Sequence, residues 1–489
     1  MSFFDWFRDK KRTSLAVRGT HYDATSLGDL KEYWRWVDSK SIDASLDPET
    51  RRKLRERARY EVANNSYAMG VALALADAVV GSGPRLQVLA LEKEEAKRIE
   101  WDFCEWMEAT SLAEKLRAMR IAKFQDGEAF AVLYDNAGRA DSLPKLDVMP
   151  LDAERVAGDY GATDVDGITL DEYGNPVSYR VLTRHPGDLS SRDWAPNRTN
   201  AETDATIYPA SSILHWYRRT LPEQHRGAPE IAACLNLFAL LRRYTLAVVA
   251  AAETAADVAA FLTSEVDSGG YERLVGEPME LLDITRNKIL TLPEGTNIQQ
   301  LRAEQPTTTY GDFKRELLGE IGRSLQIPVN LISGNSSGYN YASGRLDHQE
   351  FQKAIRLQQS ECGVKIMTPI FRAWFKEWSL ANEPDLRDVA VPIQWYWDGF
   401  EHVDPVKEAT AQQIRLASGI TNLQIEIGKQ GRDWEDALDQ LYKERAISRE
   451  LAKKYGVQDI FGAKTTRQIN ISPGKYPMPE NNGEQTVQN

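Results

Sequence analysis

The chain has 489 residues, with 60 basic and 72 acidic side chains and a formal net charge of −12. That length exceeds the roughly 250–300 residues at which single hydrophobic cores stop growing, so two or more modules are expected. The acidic balance excludes a protein that coats nucleic acid through one broad basic face, though not one that lets nucleic acid pass.

In chain order, the basic run Arg51 to Arg59 opens a helical pattern that continues through Val80 to a stop at Gly81, with Val71, Leu75 and Val79 on one apolar face. Two more helical patterns follow, EKEEAKRIEWDFCEWMEAT and SLAEKLRAMRIAKFQDG. The period then changes to that of strands in EAFAVLYDN, KLDVMPL and ITLDEYGNPVSYRVL, so residues 84–215 read as helices on a small antiparallel sheet. Residues 186–206 are polar, without periodicity, and predict a surface excursion.

Pro229 opens a long helical run toward Ser264, with eight alanines between Ala247 and Ala260. Gly269-Gly270 closes that region, and ELLDITRNKILTLPEGTNIQQLRA predicts two or three short strands with a turn at Pro293-Glu294-Gly295. A further helix carries Phe313, Leu317, Leu318, Ile321 and Leu325 and stops at Pro328. GNSSGYNYASG, Gly334 to Gly344, then cannot bury enough apolar surface to order itself, and reads either as a solvated linker or as a working loop. Leu346, Phe351, Ile355, Ile366, Ile370 and Phe371 form the next helical pattern, with a break expected near Gly363 and Pro369. Beyond residue 405 the period is helical, interrupted at Gly419, Gly428 and Gly431, before an extended proline-bearing tail.

Chemistry-bearing patterns are sparse. Cys104, Cys234 and Cys362 lack CxxC spacing, which predicts no zinc site and no disulfide framework and fits a reducing cytosol. The N-terminal MSFFDWFRDKKR has no apolar core with a cleavage site, and Arg242, Arg243, Glu253 and Asp257 interrupt the most apolar later stretch, so neither secretion nor a membrane span is expected. GAKTT at 462–466 has Ala463 where a phosphate loop needs glycine. Asp159, Asp164 and Asp166 lack the spacing of a calcium loop and predict a hairpin turn. The six histidines are dispersed, and His215 reads as a satisfied, half-buried side chain. No catalytic residue, cofactor or metal is expected.

Four segments, in order, resemble the lambda-type portal proteins of tailed bacteriophages: LRERARYEVANNSYAMGVALALADAVVGSGPRLQ, PASSILHWYRRTLPEQHRGAPEIA, IPVNLISGNSSGYNYASGR and VDPVKEATAQQIRLASGITNLQIEIGKQGRDWEDALDQLYKE. The resemblance runs from about Tyr22 to Val457. It implies a helix-rich α+β subunit of portal type that forms a ring. Its parts are an N-terminal region and wing over 1–227, a first stem helix over 228–263, a clip over 264–307 and a second stem helix over 308–327. A tunnel loop over 328–344, a long wing helix returning to the wing over 345–405, a helical crown over 406–457 and a flexible tail over 458–489 complete it.

The resemblance further implies a dodecamer at one capsid vertex of the virion, assembled in the host cytoplasm, with double-stranded DNA passing through. Terminase large subunit and then a head-tail connector protein would dock on the clip, where Met279, Leu281, Ile284, Arg286 and Lys288 are the expected contacts; scaffold and major capsid proteins are further partners. Asn335, Ser336, Ser337, Tyr339, Asn340, Tyr341 and Arg345 would face DNA from the tunnel loop, with Lys314, Arg315 and Arg323 as candidate basic residues of the channel. The competing reading is a nuclease of head maturation acting through Asp159 and Asp164.

Overall fold

The computed structural model describes residues 39–89, 91–138, 144–158, 164–188, 204–256, 260–264, 296–300, 310–338, 340–386, 389–399, 405–428 and 433–457. Helix α1 (Ile42–Ser45) leads into α2 (Pro48–Asn64) and α3 (Ser66–Val79). The single helix expected from Arg51 to Val80 is thus two. Asn65 leaves helical geometry at φ −122°, and its Oδ1 accepts from Tyr67 N at 3.1 Å, so it caps the second helix rather than continuing the first.

Strand β1 (Arg85–Val88), α4 (Lys93–Ala109) and α5 (Leu112–Asp126) follow, then β2 (Glu128–Asp135), β3 (Leu146–Leu151), β4 (Ile168–Leu170), β5 (Pro176–Leu182), β6 (Ala205–Pro209) and β7 (Ile213–Tyr217). The strands pair antiparallel in two small sheets, ordered β3-β2-β7 and β4-β5-β6. A 3-10 turn at Ala232–Cys234 precedes α6 (Leu235–Ala256), and β8 (Ala260–Ser264) pairs with β9 (Thr296–Gln300). The helix expected over 228–263 is shorter at both ends. At its start Glu230 N bonds Phe124 O at 3.0 Å and its carboxylate is held by Arg120 at 2.9 Å and Lys123 at 3.4 Å, which ties this segment to α5. At its far end the chain has already become a paired strand by Ala260.

Helix α7 (Tyr310–Leu325), the short α8 (Val329–Ser333) and α9 (Tyr341–Cys362) come next. The break expected near Gly363 is a π-helical turn, Gly363–Met367, that runs directly into α10 (Thr368–Asn382), with Pro369 harmless in the first turn. Strand β10 (Ile393–Tyr396) returns to pair with β1, and α11 (Pro405–Ala417), α12 (Leu423–Gly428) and α13 (Trp434–Tyr455) end the described chain. One core joins most of these helices around Phe103, Trp106, Phe371, Trp374 and Trp378, and a smaller one fills the β sheets around Phe130 and Val181.

Arg51, Arg55 and Arg59 repeat every four residues, so they share one face of α2, and that face is turned inward. Glu128, fully buried at the start of β2, receives Arg55, Arg226 Nη2 at 2.7 Å, His215 Nε2 at 3.0 Å and Gly227 N at 2.8 Å. Asp166 pairs with Arg51 and with Arg226 at 3.2 Å, and Arg59 pairs with Asp126 at 2.6 Å and Asp152 at 2.9 Å. Burial alone would push the Glu128 carboxyl up, yet Arg226, His215 and Arg55 together hold it well below the usual carboxylate range. Burial pulls His215 down, so it is a neutral acceptor or donor satisfied inside the protein.

Removing one partner of a buried ion pair leaves the other uncompensated. Arg226→Met is therefore expected to lower the unfolding free energy by about 3–5 kcal/mol, measured by urea denaturation. Arg52→Met, on the exposed side of the same helix and paired among the described residues only with Glu56, is expected to change it by no more than about 0.5 kcal/mol.

Candidate functional site

The glycine-rich segment is mounted between α7 and α9 by identifiable backbone chemistry. Gln326 takes a left-handed φ of 60°, and Ile327 N reaches back to Gly322 O at 2.9 Å, ending α7. Only glycine fits at 322, because a Cβ there would stand 2.5 Å from Ile327 O and 2.9 Å from Ile332 Cδ1. Gly334 closes α8 at φ 63°, and Asn335 N returns to Asn330 O at 3.2 Å. Ser337 N donates to Asn335 Oδ1 at 2.8 Å, a local turn held by the asparagine side chain. Asn340 Oδ1 accepts from Ser343 N at 2.8 Å and starts α9.

The described irregular residues are therefore Gly334 to Gly338 and Asn340, and not the whole of 328–344. Residues 329–333 and 341–344 are helical, the second set because Asn340 supplies a cap. Asn330, buried at the root of the loop, also donates from Nδ2 to His348 Nε2 at 3.3 Å, which ties α8 to α9.

Beneath the loop lies a groove of about 300 Å³ whose walls include Tyr67, Lys314, Arg315, Leu318, Asn335 and Ser337. Among the described residues no acidic side chain lines it. The Lys314 ammonium sits 5.0 Å from the Tyr67 ring centre and 5.4 Å from that of Tyr310, whose hydroxyl donates to Thr245 Oγ1 at 3.3 Å. Burial pulls Lys314 down, but the Tyr67 and Tyr310 hydroxyls outweigh it, and the ammonium is held above its ordinary value. The lysine is thus a permanently charged, pre-oriented group, whereas Arg315 is exposed and makes no ion pair among the described residues.

Of the residues singled out by sequence, four meet at this groove: Lys314, Arg315, Asn335 and Ser337. Ser336 is exposed on the loop, and Arg323 on α7 and Arg345 on α9 are exposed outside the groove. Asn340 is committed as a helix cap, and Tyr341 is the first residue of α9. Tyr339 and the clip residues Met279, Leu281, Ile284, Arg286 and Lys288 lie outside the described residues. Tyr67 was not singled out by sequence; nothing local marks a tyrosine on an apolar helix as the support of a lysine far along the chain.

The acidic cluster has other employment. Asp166 is consumed by Arg51 and Arg226, and Asp164 Oδ2 accepts from Gly167 N at 3.1 Å, which fixes a turn; Asp159 lies outside the described residues. Among the described residues no group of three His, Cys, Asp or Glu is placed to hold a metal ion. Among the described residues one helical stretch, Ala232–Glu253, is long and apolar enough to cross a membrane, but Phe238 in it is buried in the core and Arg242 pairs with Glu61 at 2.9 Å.

The helices α6 and α7 thus bracket the strand pair β8–β9, and α7 leads through α8 into the capped glycine loop. The chain belongs to the phage portal proteins: the model of that family, "Phage portal protein, lambda family", matches residues 28–359. It is similar to the "Probable portal protein" of Halomonas phage phiHAP-1, with 23% identity over 308 residues, 60% of this chain and 57% of that protein. The matched segment therefore spans little more than half of that relative. The chain is also similar to "Portal protein B" of Escherichia phage lambda, with 20% identity over 482 residues, 87% of this chain and 89% of that one. Among solved structures it is similar to chains of the neck of an empty gene transfer agent particle (15% identity, TM-score 0.45, 80% of this chain and 94% of that one). The neck of the native particle gives 13% identity and a TM-score of 0.44 over 76% and 90% of the two chains.

Two glycines in the mounting separate packing from propensity. Gly322→Ala is expected to destabilise the protein by about 1–3 kcal/mol through collision with Ile327. Gly344→Ala, in α9 with nothing within 4 Å of its added carbon, is expected to raise stability by about 0.5–1 kcal/mol. Thermal unfolding of the two variants checks both signs.

Proposed function

We propose that this portal protein closes into a dodecameric ring at one vertex of the capsid, and that double-stranded DNA enters and leaves through its axis past the Gly334–Asn340 loop. The observation that carries this reading is the convergence of Lys314, Arg315, Asn335 and Ser337 on one groove, without an acidic side chain among its described residues, at the root of that loop, in a chain of the portal family. Lys314 and Arg315 supply charge, and the loop supplies neutral hydrogen-bonding groups that touch phosphate without holding it. Each phosphate neutralised by a fixed cation adds salt-dependent affinity, so a conduit works best with few such cations in a strongly acidic ring. The net charge of −12 per copy supplies that acidic background.

Apolar side chains left exposed around α6 support assembly. Leu240, Leu246 and Val249 are exposed on the single chain, and a neighbouring copy is the surface that would cover them. The clip over 264–307, with Met279, Leu281, Ile284, Arg286 and Lys288, is proposed as the platform for terminase large subunit during packaging and for the head-tail connector afterwards. Scaffold and major capsid proteins would contact the ring from inside the shell, during assembly in the host cytoplasm. No catalytic step is assigned to the chain; the motor chemistry belongs to the terminase.

Removing Ser336 to Tyr339, which spares the Asn340 cap, is expected to leave ring formation intact in negative-stain images and to lower the amount of DNA packaged or retained per particle. Loss of the ring in that variant would make the segment an assembly element and sink its role as a DNA contact. A chain that stays monomeric by native mass spectrometry at every concentration would sink the ring itself.

A further inference from the structure

The C-terminal helix α13 rests on the corner formed by α4 and β1 through a set of polar contacts. Asp433 caps α13, accepting from Glu435 N at 2.8 Å and Asp436 N at 3.0 Å, and its other oxygen accepts from Gln87 Nε2 at 2.8 Å. Gln87 Oε1 in turn accepts from Tyr396 Oη at 2.8 Å and Gln424 Nε2 at 3.3 Å. Lys97 Nζ meets Asp436 Oδ1 at 2.5 Å. Glu100, on the same face of α4 as Lys97, accepts from Val88 N at 2.6 Å and lines a cleft of about 570 Å³ together with Asp433 and Asp436.

We propose that this corner is a charge-controlled clasp, in which protonated Glu100 lets α13 seat against α4 and β1 and ionised Glu100 drives it off. The groups that face one another there are Lys97, Glu100 and Cys104 on α4, Arg85 on β1, Tyr396 on β10, and Asp433, Glu435 and Asp436 on α13. Burial keeps the Cys104 thiol and the Tyr396 phenol above their ordinary values, and both are neutral near pH 7. With Glu100 ionised, four carboxylates at the corner (Glu100, Asp433, Glu435, Asp436) oppose two cations (Arg85, Lys97); with it protonated, the excess of negative charge falls from two to one.

Burial, and then the charges of Asp433 and Asp436, push the Glu100 carboxyl up to about 7. In the released state the same group returns to the ordinary carboxylate range, so seating α13 takes up a proton from solvent. The seated form is favoured below about 7 and loses its advantage as pH rises through that value.

The test uses the full-length chain with Cys104→Ser, Glu105→Cys and Glu444→Cys, spin-labelled at the two new exposed cysteines; Cys234 and Cys362 are buried. Electron-spin distance measurements about one pH unit below and one above the Glu100 value should give one short, narrow distance and then a longer, broader one. Glu100→Gln, the neutral isostere, should give the short distance at both. Added salt screens partly exposed charges and should narrow the response of the parent chain. A parent distance that does not change with pH, a Glu100→Gln protein that still responds, or a response that salt leaves untouched overturns the clasp.

Discussion

A single carboxylate without water, that of Glu128, sets conditions that the rest of the fold has to meet. Its desolvation is offset only when its donors arrive together: Arg55 from α2, His215 from β7, and Arg226 with Gly227 from the turn that follows. Helix α2, the β3-β2-β7 sheet and that turn are thereby docked as one unit. The turn is itself built for the purpose. Gln224 accepts from Thr220 N at 2.7 Å and donates to Arg226 O at 2.8 Å, and the backbones at Gly127 and Gly227 approach so closely that neither position admits a side chain.

From this centre the geometry passes outward to the helix pair. Residues just after the turn bring Glu230 under α5, where Arg120 and Lys123 hold it, and α6 leaves from that fixed root. At its other partner, α7, the same helix is met by Tyr244 against Phe313 at 4.8 Å and by the hydroxyl link of Tyr310 to Thr245. The lysine in the groove inherits its position from these contacts. The described irregular residues of the loop, Gly334 to Gly338 and Asn340, are thus carried between capped helix ends.

Much of this was legible in the sequence, because periodicity reports local burial. The strands EAFAVLYDN and KLDVMPL and the helices on either side of Thr110 appear where alternation and 3.6-residue spacing put them. The Asn65 break was readable too, since an asparagine before an apolar helical run is a cap, but the strength of the surrounding pattern hides it. What periodicity cannot report is a partner distant in the chain. In sequence Arg51, Arg55 and Arg59 are only part of a basic run that opens a helix; Asp166, Glu128 and Asp126, which pair with them, lie far along the chain. For the same reason Lys314 and Arg315 could be picked out as cations, while Tyr67, which decides how the lysine stands, could not.

The π turn at Gly363–Met367 carries a consequence for reading relatives of this chain. A π turn holds one residue more than the α-helical turn it replaces, and here the wider backbone is closed by Thr368 Oγ1 donating to Gly363 O at 2.8 Å, with Trp395 set against Gly363. The tryptophan face of α10 is therefore rotated by about 100° relative to an uninterrupted continuation of α9. A homologue with one residue fewer and an ordinary α-helical turn here would present the same tryptophan face to the core, so a gap of one position near Gly363 in this family marks loss of the π turn with helical phase preserved, whereas the same chain length without the π turn would rotate that face away.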